Sequence, residues 1–256
     1  MKNQNSCFNI YIIPKQPIDA SASSVTGLTR IGRQLFLNGT EISSASRKFS
    51  FLKTLEFLRS LGKKVILIAH NCKFDYNHFI HAAKELSLID ELSEIILGFC
   101  DSIPLFEEAL PNRQNKFNLS DLGKDLLNTS MSAAHNAMFD KDILEMLCIK
   151  YIDFNNFIKT KLTINKIIEN TDIDNKRKEI EKTFDPLFED KIISKGIIKR
   201  LSNNNISWDD ILNTYKEKGE KHCITYLKAE IDGKSIIIKT KKILSNIIEY
   251  VKKCIK

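Results

Sequence analysis

Two stretches of this chain combine histidine and aspartate in a way that could do chemistry: HNCKFD at 70–75 and AAHNAMFDKDIL at 133–144. The first follows directly on the apolar run VILIA, which puts His70, Asn71 and Asp75 at the exit of a buried strand. In the second, His135 and Asp140 stand five residues apart, with small residues before and between them. A loop running into a helix at that spacing lets His135 and Asp140 face one pocket. Asp75 and Asp140 are then two carboxylates that tertiary structure would have to bring together. Carboxylates beside a histidine suit Mg²⁺, or Mn²⁺ in its place, a hard cation that takes oxygen ligands and leaves part of its shell to water and phosphate. With two such ions about 3.5–4 Å apart, one activates a water and the other stabilises the leaving oxygen of a phosphodiester. A histidine beside that water is a suitable general base, because its unperturbed pKa of about 6.5 lies near working pH.

The elements that must position these residues follow from periodicity. FNIYII (8–13) has the β-branched and aromatic makeup of a strand and stops at Pro14; the turn-rich PIDASASSVTGLT is then a connection, not a core element. From Ser44 on, Phe49, Leu52, Leu55, Leu58 and Leu61 recur at helical spacing up to Gly62. KKVILIAH predicts a strand buried on both faces, as in a parallel pair, and a helix is expected over 75–86. A strand over 94–103 and helices over 118–127 and 137–150 complete an alternating α/β order. Past about residue 150 the chain reads as short charged amphipathic helices, one of them started by Ser207 with Trp208 as its packing anchor. The expected domains are therefore 1–152, α/β, and 153–256, a basic helical region.

The charge is divided in the same way. Residues 1–150 carry 17 Lys+Arg against 16 Asp+Glu, and 151–256 carry 22 against 16, so the surplus of +7 is mostly C-terminal. Such a field favours polyanions, and a solvated lysine-rich helix surface gives the same tally. Lys195, Lys199 and Arg200 are the residues singled out for a nucleic-acid backbone. The six cysteines form no CxxC pair and predict reduced thiols in an intracellular protein of nucleus or cytoplasm. No stretch approaches the roughly 20 apolar residues of a membrane span.

HNCKFDYNHFI and HNAMFDKDIL, in this order, resemble the second and third motifs of the DEDDh-type 3'-to-5' exonucleases, the family of the DNA polymerase III proofreading subunit and the TREX nucleases. FNIYIIPKQPIDASASSVTGLT resembles the segment that precedes the second motif, so the resemblance covers roughly residues 8–150. It implies a ribonuclease H-like mixed sheet with flanking helices, Asp75 and Asp140 as metal ligands, His135 as general base, and nucleic acid, as single-stranded 3' ends, as partner. His70 and Asn71 would fix the turn after the strand or line the substrate groove, and Asp101 would be structural.

The family's first motif, an Asp-x-Glu on the first strand, does not occur anywhere in the sequence. By resemblance FNIYII is the third strand of a sheet ordered 3-2-1-4-5, so the N-terminal strands are missing and its middle is empty. The expectation is a 3'-to-5' exonuclease-family protein, truncated and inactive as the chain stands. The other reading is a non-catalytic nucleic-acid- or protein-binding module descended from an exonuclease.

Overall fold

Asp19 opens the first regular element. Its carboxylate accepts the Ala22 N–H at 2.9 Å, and helix α1 (Ala20–Thr26) ends at Gly27, whose φ of 70° lets its N–H reach the Ser23 carbonyl at 2.8 Å. The helix buries no side chain, so the turn-rich stretch is helical in part without joining a core. The computed structural model describes residues 7–129, 137–228 and 238–255, and the chain divides between Ile168 and Glu169 into two compact units.

After α1 comes an antiparallel meander absent from the periodicity reading: β1 (Leu28–Ile31), β2 (Gln34–Leu37) and β3 (Thr40–Ile42). Its second turn is Asn38-Gly39, with φ of 49° and 81°. Two positive φ values are what a two-residue hairpin of right-handed strands requires.

FNIYII is not a strand of any sheet. It runs beside Ala45, with the Ile13 N–H donating to the Ala45 carbonyl at 3.1 Å and the Ala45 N–H to the Tyr11 carbonyl at 2.8 Å, and Phe8 stacks on Phe57 at 5.2 Å. Strand propensity measures fit to a pleated, half-buried surface more than a backbone preference, and this segment meets that demand on a loop and a helix side chain.

Ser46 caps α2 (Arg47–Ser60) by accepting the Phe49 N–H, and Gly62, at φ 70°, follows the helix end. Strand β4 (Val65–Ala69) leads into α3 (Cys72–Glu85), α4 (Ile89–Ile95) and β5 (Ile96–Asp101), and β4 and β5 pair in parallel from Val65↔Ile96 to Ala69↔Asp101. The helices α5 (Ser102–Ala109), α6 (Leu119–Leu127), α7 (Ala137–Tyr151) and α8 (Phe154–Thr160) follow.

The parallel pair separates two apolar layers, and the alternation of VILIA explains why. Val65, Leu67 and Ala69 join the core built by Phe51, Leu55, Tyr76, Ile80 and Leu92, while Ile66 and Ile68 join the one built by Leu105, Phe106, Leu122, Ile143 and Leu147. Successive strand residues point to opposite faces, so an unbroken apolar run is the signature of a strand with helices on both sides. All five β4 residues are nonetheless only half-buried, because β4 pairs with β5 alone among the described residues. The fold is α/β with two small sheets, and among the described residues the five-stranded sheet implied by resemblance is not formed: FNIYII lies outside the pair.

β5 is closed on its other side. The Phe99 N–H donates to the Leu162 carbonyl at 2.9 Å and the Leu162 N–H to the Phe99 carbonyl at 2.7 Å. This approach needs Gly98, because a Cβ there would lie 2.3 Å from the Leu162 carbonyl oxygen.

Helix α9 (Ile164–Lys182) contains the division between the units; Ile164 and Ile167 pack in the first. The first unit thus runs past residue 152, the expected end of the α/β part, because α8 and the start of α9 supply it with Phe157, Ile164 and Ile167.

The second unit is helical: α10 (Asp185–Glu189), α11 (Lys195–Asn203), α12 (Trp208–Lys228) and α13 (Lys241–Ile255). Ser207 and Asp210 form a reciprocal cap, the Asp210 N–H donating to Ser207 Oγ at 3.2 Å and the Ser207 N–H to Asp210 Oδ2 at 2.8 Å. Trp208 packs edge-on to Phe184 and Tyr250 in a core with Leu187, Leu201 and Ile247. Gly219, at φ 75° and ψ 176°, breaks α12 where the sequence places its glycine. All six cysteines are free thiols; burial pushes Cys72 and Cys148 up to about 12. Among the described residues no helix is long and apolar enough to cross a membrane.

Candidate functional site

The carboxyl-terminal ends of β4 and β5 lie side by side, and each passes directly into a helix. There the first motif candidate, His70 to Asp75, meets Asp101. The Asp101 carboxylate joins the two helix starts: Oδ1 accepts the Asn71 N–H at 3.1 Å and the Ile103 N–H at 3.0 Å, and Oδ2 accepts the Cys72 N–H at 3.1 Å. A helix leaves its first N–H groups without partners inside it, and a carboxylate at that end satisfies them and complements the positive end of the dipole. Asn71 turns the chain at φ 62°, a conformation asparagine tolerates better than most residues, and its own side chain makes no cap.

His70 is held at both ring nitrogens, Nε2 at 2.7 Å from the Phe117 carbonyl and Nδ1 at 2.8 Å from Ser102 Oγ. The carbonyl can only accept, so Nε2 carries the proton and Nδ1 accepts from the serine hydroxyl. Ser102 is fully buried and the imidazole half-buried. Burial lowers the His70 pKa below its ordinary value, against the opposing Phe117 hydrogen bond and the Asp101 charge. With both nitrogens engaged, His70 fastens the β4 exit to α5 and to the loop at Phe117.

This has a consequence for pH. A histidine whose folded pKa is depressed favours the neutral form, so folding loses stability as pH falls from about 6.5, where the unfolded chain starts to take the proton. His70→Ala is expected to lower stability by about 2 kcal/mol at pH 7.5, for two hydrogen bonds at about 1 kcal/mol each. The loss should shrink at pH 5.5. Urea unfolding of both proteins at the two pH values measures it, and an equal loss at both would show that the ring is not held neutral.

Asp75 stands in the first turn of α3, which starts at Cys72, so it is inside the helix and not its cap. As a residue it is exposed, yet its carboxyl loses part of its hydration to the surrounding protein, which raises its pKa; its backbone hydrogen bond and His78 oppose this and Asp101 adds to it. The neighbouring Phe74 ring is 64% exposed and meets the His78 ring edge-on at 4.7 Å. His81 is turned towards Glu85, with Nε2 3.8 Å from Oε1. Cys72, Tyr76, Ile80 and Ala83 fill the opposite, buried face of the helix.

Asp140 is half-buried in the first turn of α7, a helix anchored by Ile143, Leu147 and Cys148. Cys7 Sγ lies 3.7 Å from the preceding Met138 Sδ. His135, the expected general base, lies outside the described residues. Of the expected backbone-binding residues, Lys195 stands 5.4 Å over the Phe188 ring, Lys199 is exposed, and Arg200 directs Nε at the Gly196 carbonyl at 3.3 Å.

No group of three His, Cys, Asp or Glu side chains among the described residues is placed to share an ion, and Asp101, which acts on Asp75, has both oxygens committed to backbone N–H groups. The partners that sequence reading did not supply are Ser102 and the Phe117 carbonyl, each reached only by folding 32 and 47 residues of chain back onto His70. No protein-family model matches this chain, and a search of curated proteins finds no match to it.

Proposed function

We propose that this chain binds nucleic acid 3' ends on a scaffold of ribonuclease H-like, DEDDh-exonuclease type, and does so without hydrolysing them. The observation that carries the reading is the path of the HNCKFD segment. It leaves a parallel strand, turns at Asn71 in the left-handed region, and presents Asp75 from the first turn of the next helix, while Asp140 occupies the same place in α7. Together with the order and spacing of the two motifs, this supports the family resemblance. The absence of Asp-x-Glu from the sequence, with no cluster of three metal donors among the described residues, supports binding over cleavage, since two close divalent ions need several carboxylates to neutralise them.

The test uses 5'-labelled single-stranded DNA and RNA oligonucleotides with Mg²⁺ or Mn²⁺, run on native and on denaturing gels. The expected result is a salt-sensitive shift with no shortening. A ladder of shortened products that disappears in Asp140→Asn would overturn the non-hydrolytic part, and no shift at low salt would overturn the binding.

One observation favours the hydrolytic reading. β4 has an edge with no partner among the described residues, and a strand bearing Asp-x-Glu paired there would enlarge the donor set. Mapping the 5' end of the native transcript, and reading its frame upstream of Met1, decides whether such a strand is encoded.

A further inference from the structure

We propose that the helical unit carries a groove of its own for single-stranded nucleic acid, a reading that rests on the nucleic-acid function proposed above and assigns part of the contact to residues far from Asp75. The groove has a volume of about 670 Å³ and is lined from α9, α10 and α11. Lys178 and Lys182 stand one turn apart on α9, and Lys195 and Lys199 stand one turn apart on α11. Like charges four residues apart on a helix face each other and destabilise it. Two such pairs line one groove, and a polyanionic ligand would relieve the repulsion that the Lys182–Glu179 ion pair leaves.

The groove also contains two carboxylates, and both have occupations of their own. Glu181 accepts from the part-buried Ser202 hydroxyl at 3.0 Å, and Asp185 sits in the first turn of α10. Lys182 is paired with Glu179 at 2.7 Å, outside the lining, whereas Lys178 and Lys199 are exposed ammonium groups on the two opposing helices. The lining therefore keeps a positive balance.

Its bed is apolar. Phe188 remains 39% exposed with the Lys195 ammonium over its ring, and beneath it Ile198 belongs to the buried core of the helical unit. Ammonium groups around an exposed aromatic ring match a chain with a phosphate at every unit and flat bases free to stack. That describes a single strand and not a duplex, whose bases are already stacked. Arg200, on the same helix, is turned back to the Gly196 carbonyl and lies outside the lining, so Lys178, Lys182 and Phe188 replace it in the expected contact set.

The test uses the full chain and a fluorescein-labelled oligothymidylate of twelve nucleotides, with anisotropy read across a NaCl series. Lys178→Glu/Lys199→Glu should weaken binding at least tenfold and make the salt dependence shallower by about 1.4 in slope, for two phosphate contacts on a single strand at about 0.7 each. Phe188→Ala should weaken binding about fivefold or more through lost stacking. The charge-matched control Lys216→Glu/Lys218→Glu, on α12, should change affinity less than twofold; circular dichroism melts establish that all variants are folded. If the chain binds the oligonucleotide and the groove and control variants behave alike, the groove assignment is overturned and the nucleic-acid reading stands. If the chain ignores the oligonucleotide but binds vesicles of phosphatidylserine and phosphatidylcholine through the same lysines, both readings fall.

Discussion

Asp101→Ala is expected to cost about 4 kcal/mol of stability, because one carboxylate accepts three backbone N–H groups from the starts of two helices. Hydrogen bonds to a charged group contribute about 1.5–3 kcal/mol each, and the three are coupled, so the sum is an upper bound. Alanine also leaves the Cys72 and Ile103 N–H groups, both part-buried, without an acceptor. Asp101→Asn should cost about half as much. An amide oxygen in the place of Oδ1 still serves Asn71 and Ile103, while the amide nitrogen faces the Cys72 N–H. Urea unfolding followed by circular dichroism measures both, and losses under 1 kcal/mol for each would refute the shared-cap role. The two variants also separate structure from chemistry at this corner: folded Asp101→Asn protein should bind oligonucleotide as the parent does.

Gly98→Ala is expected to cost about 3 kcal/mol, the upper part of the usual range for overpacking. The added carbon would lie 2.3 Å from the Leu162 carbonyl oxygen, a backbone atom that cannot swing aside as a side chain would. Gly62→Ala is the control. Its φ of 70° strains any L residue, but nothing lies within 4 Å of the new carbon, so it should cost about 1 kcal/mol. If the two substitutions cost the same, backbone conformation and not close approach decides the position. Hydrogen exchange at the Phe99 amide gives a second reading, since only Gly98→Ala should expose it.

Periodicity made much of the α/β layering legible. VILIA declared a strand between two layers because five successive apolar residues have no other use in a parallel pair, and Gly62 marked the end of α2, whose start is the Ser46 cap two residues past the expected Ser44. The meander over 28–42 carried its own signal, the Asn38-Gly39 turn, which a search for long apolar runs passes over because its strands are three or four residues long. FNIYII misled for the opposite reason: its composition suits a strand, but composition does not say where a partner will stand. At the candidate site, Asp75 and Asp140 were legible as helix residues, and the structure sets each in the first turn, three residues past the start. The use of His70 was not, since its two partners are distant in sequence and one of them is a backbone carbonyl that no side-chain pattern marks.

The bridge between Phe99 and Leu162 also bears on the order in which the chain can assemble. β4, α3, α4 and β5 are contiguous, so their pairing needs only a local loop closure, whereas the Leu162 contact must wait for the whole run from α5 to α8 to be in hand. Long closures are entropically costlier and slower to be rewarded by contacts. During synthesis β5 would therefore emerge with one side satisfied and one side open, and it would stay so until four more helices had left the ribosome. Gly98 keeps that side accessible in the meantime, with no side chain of its own to block the late arrival.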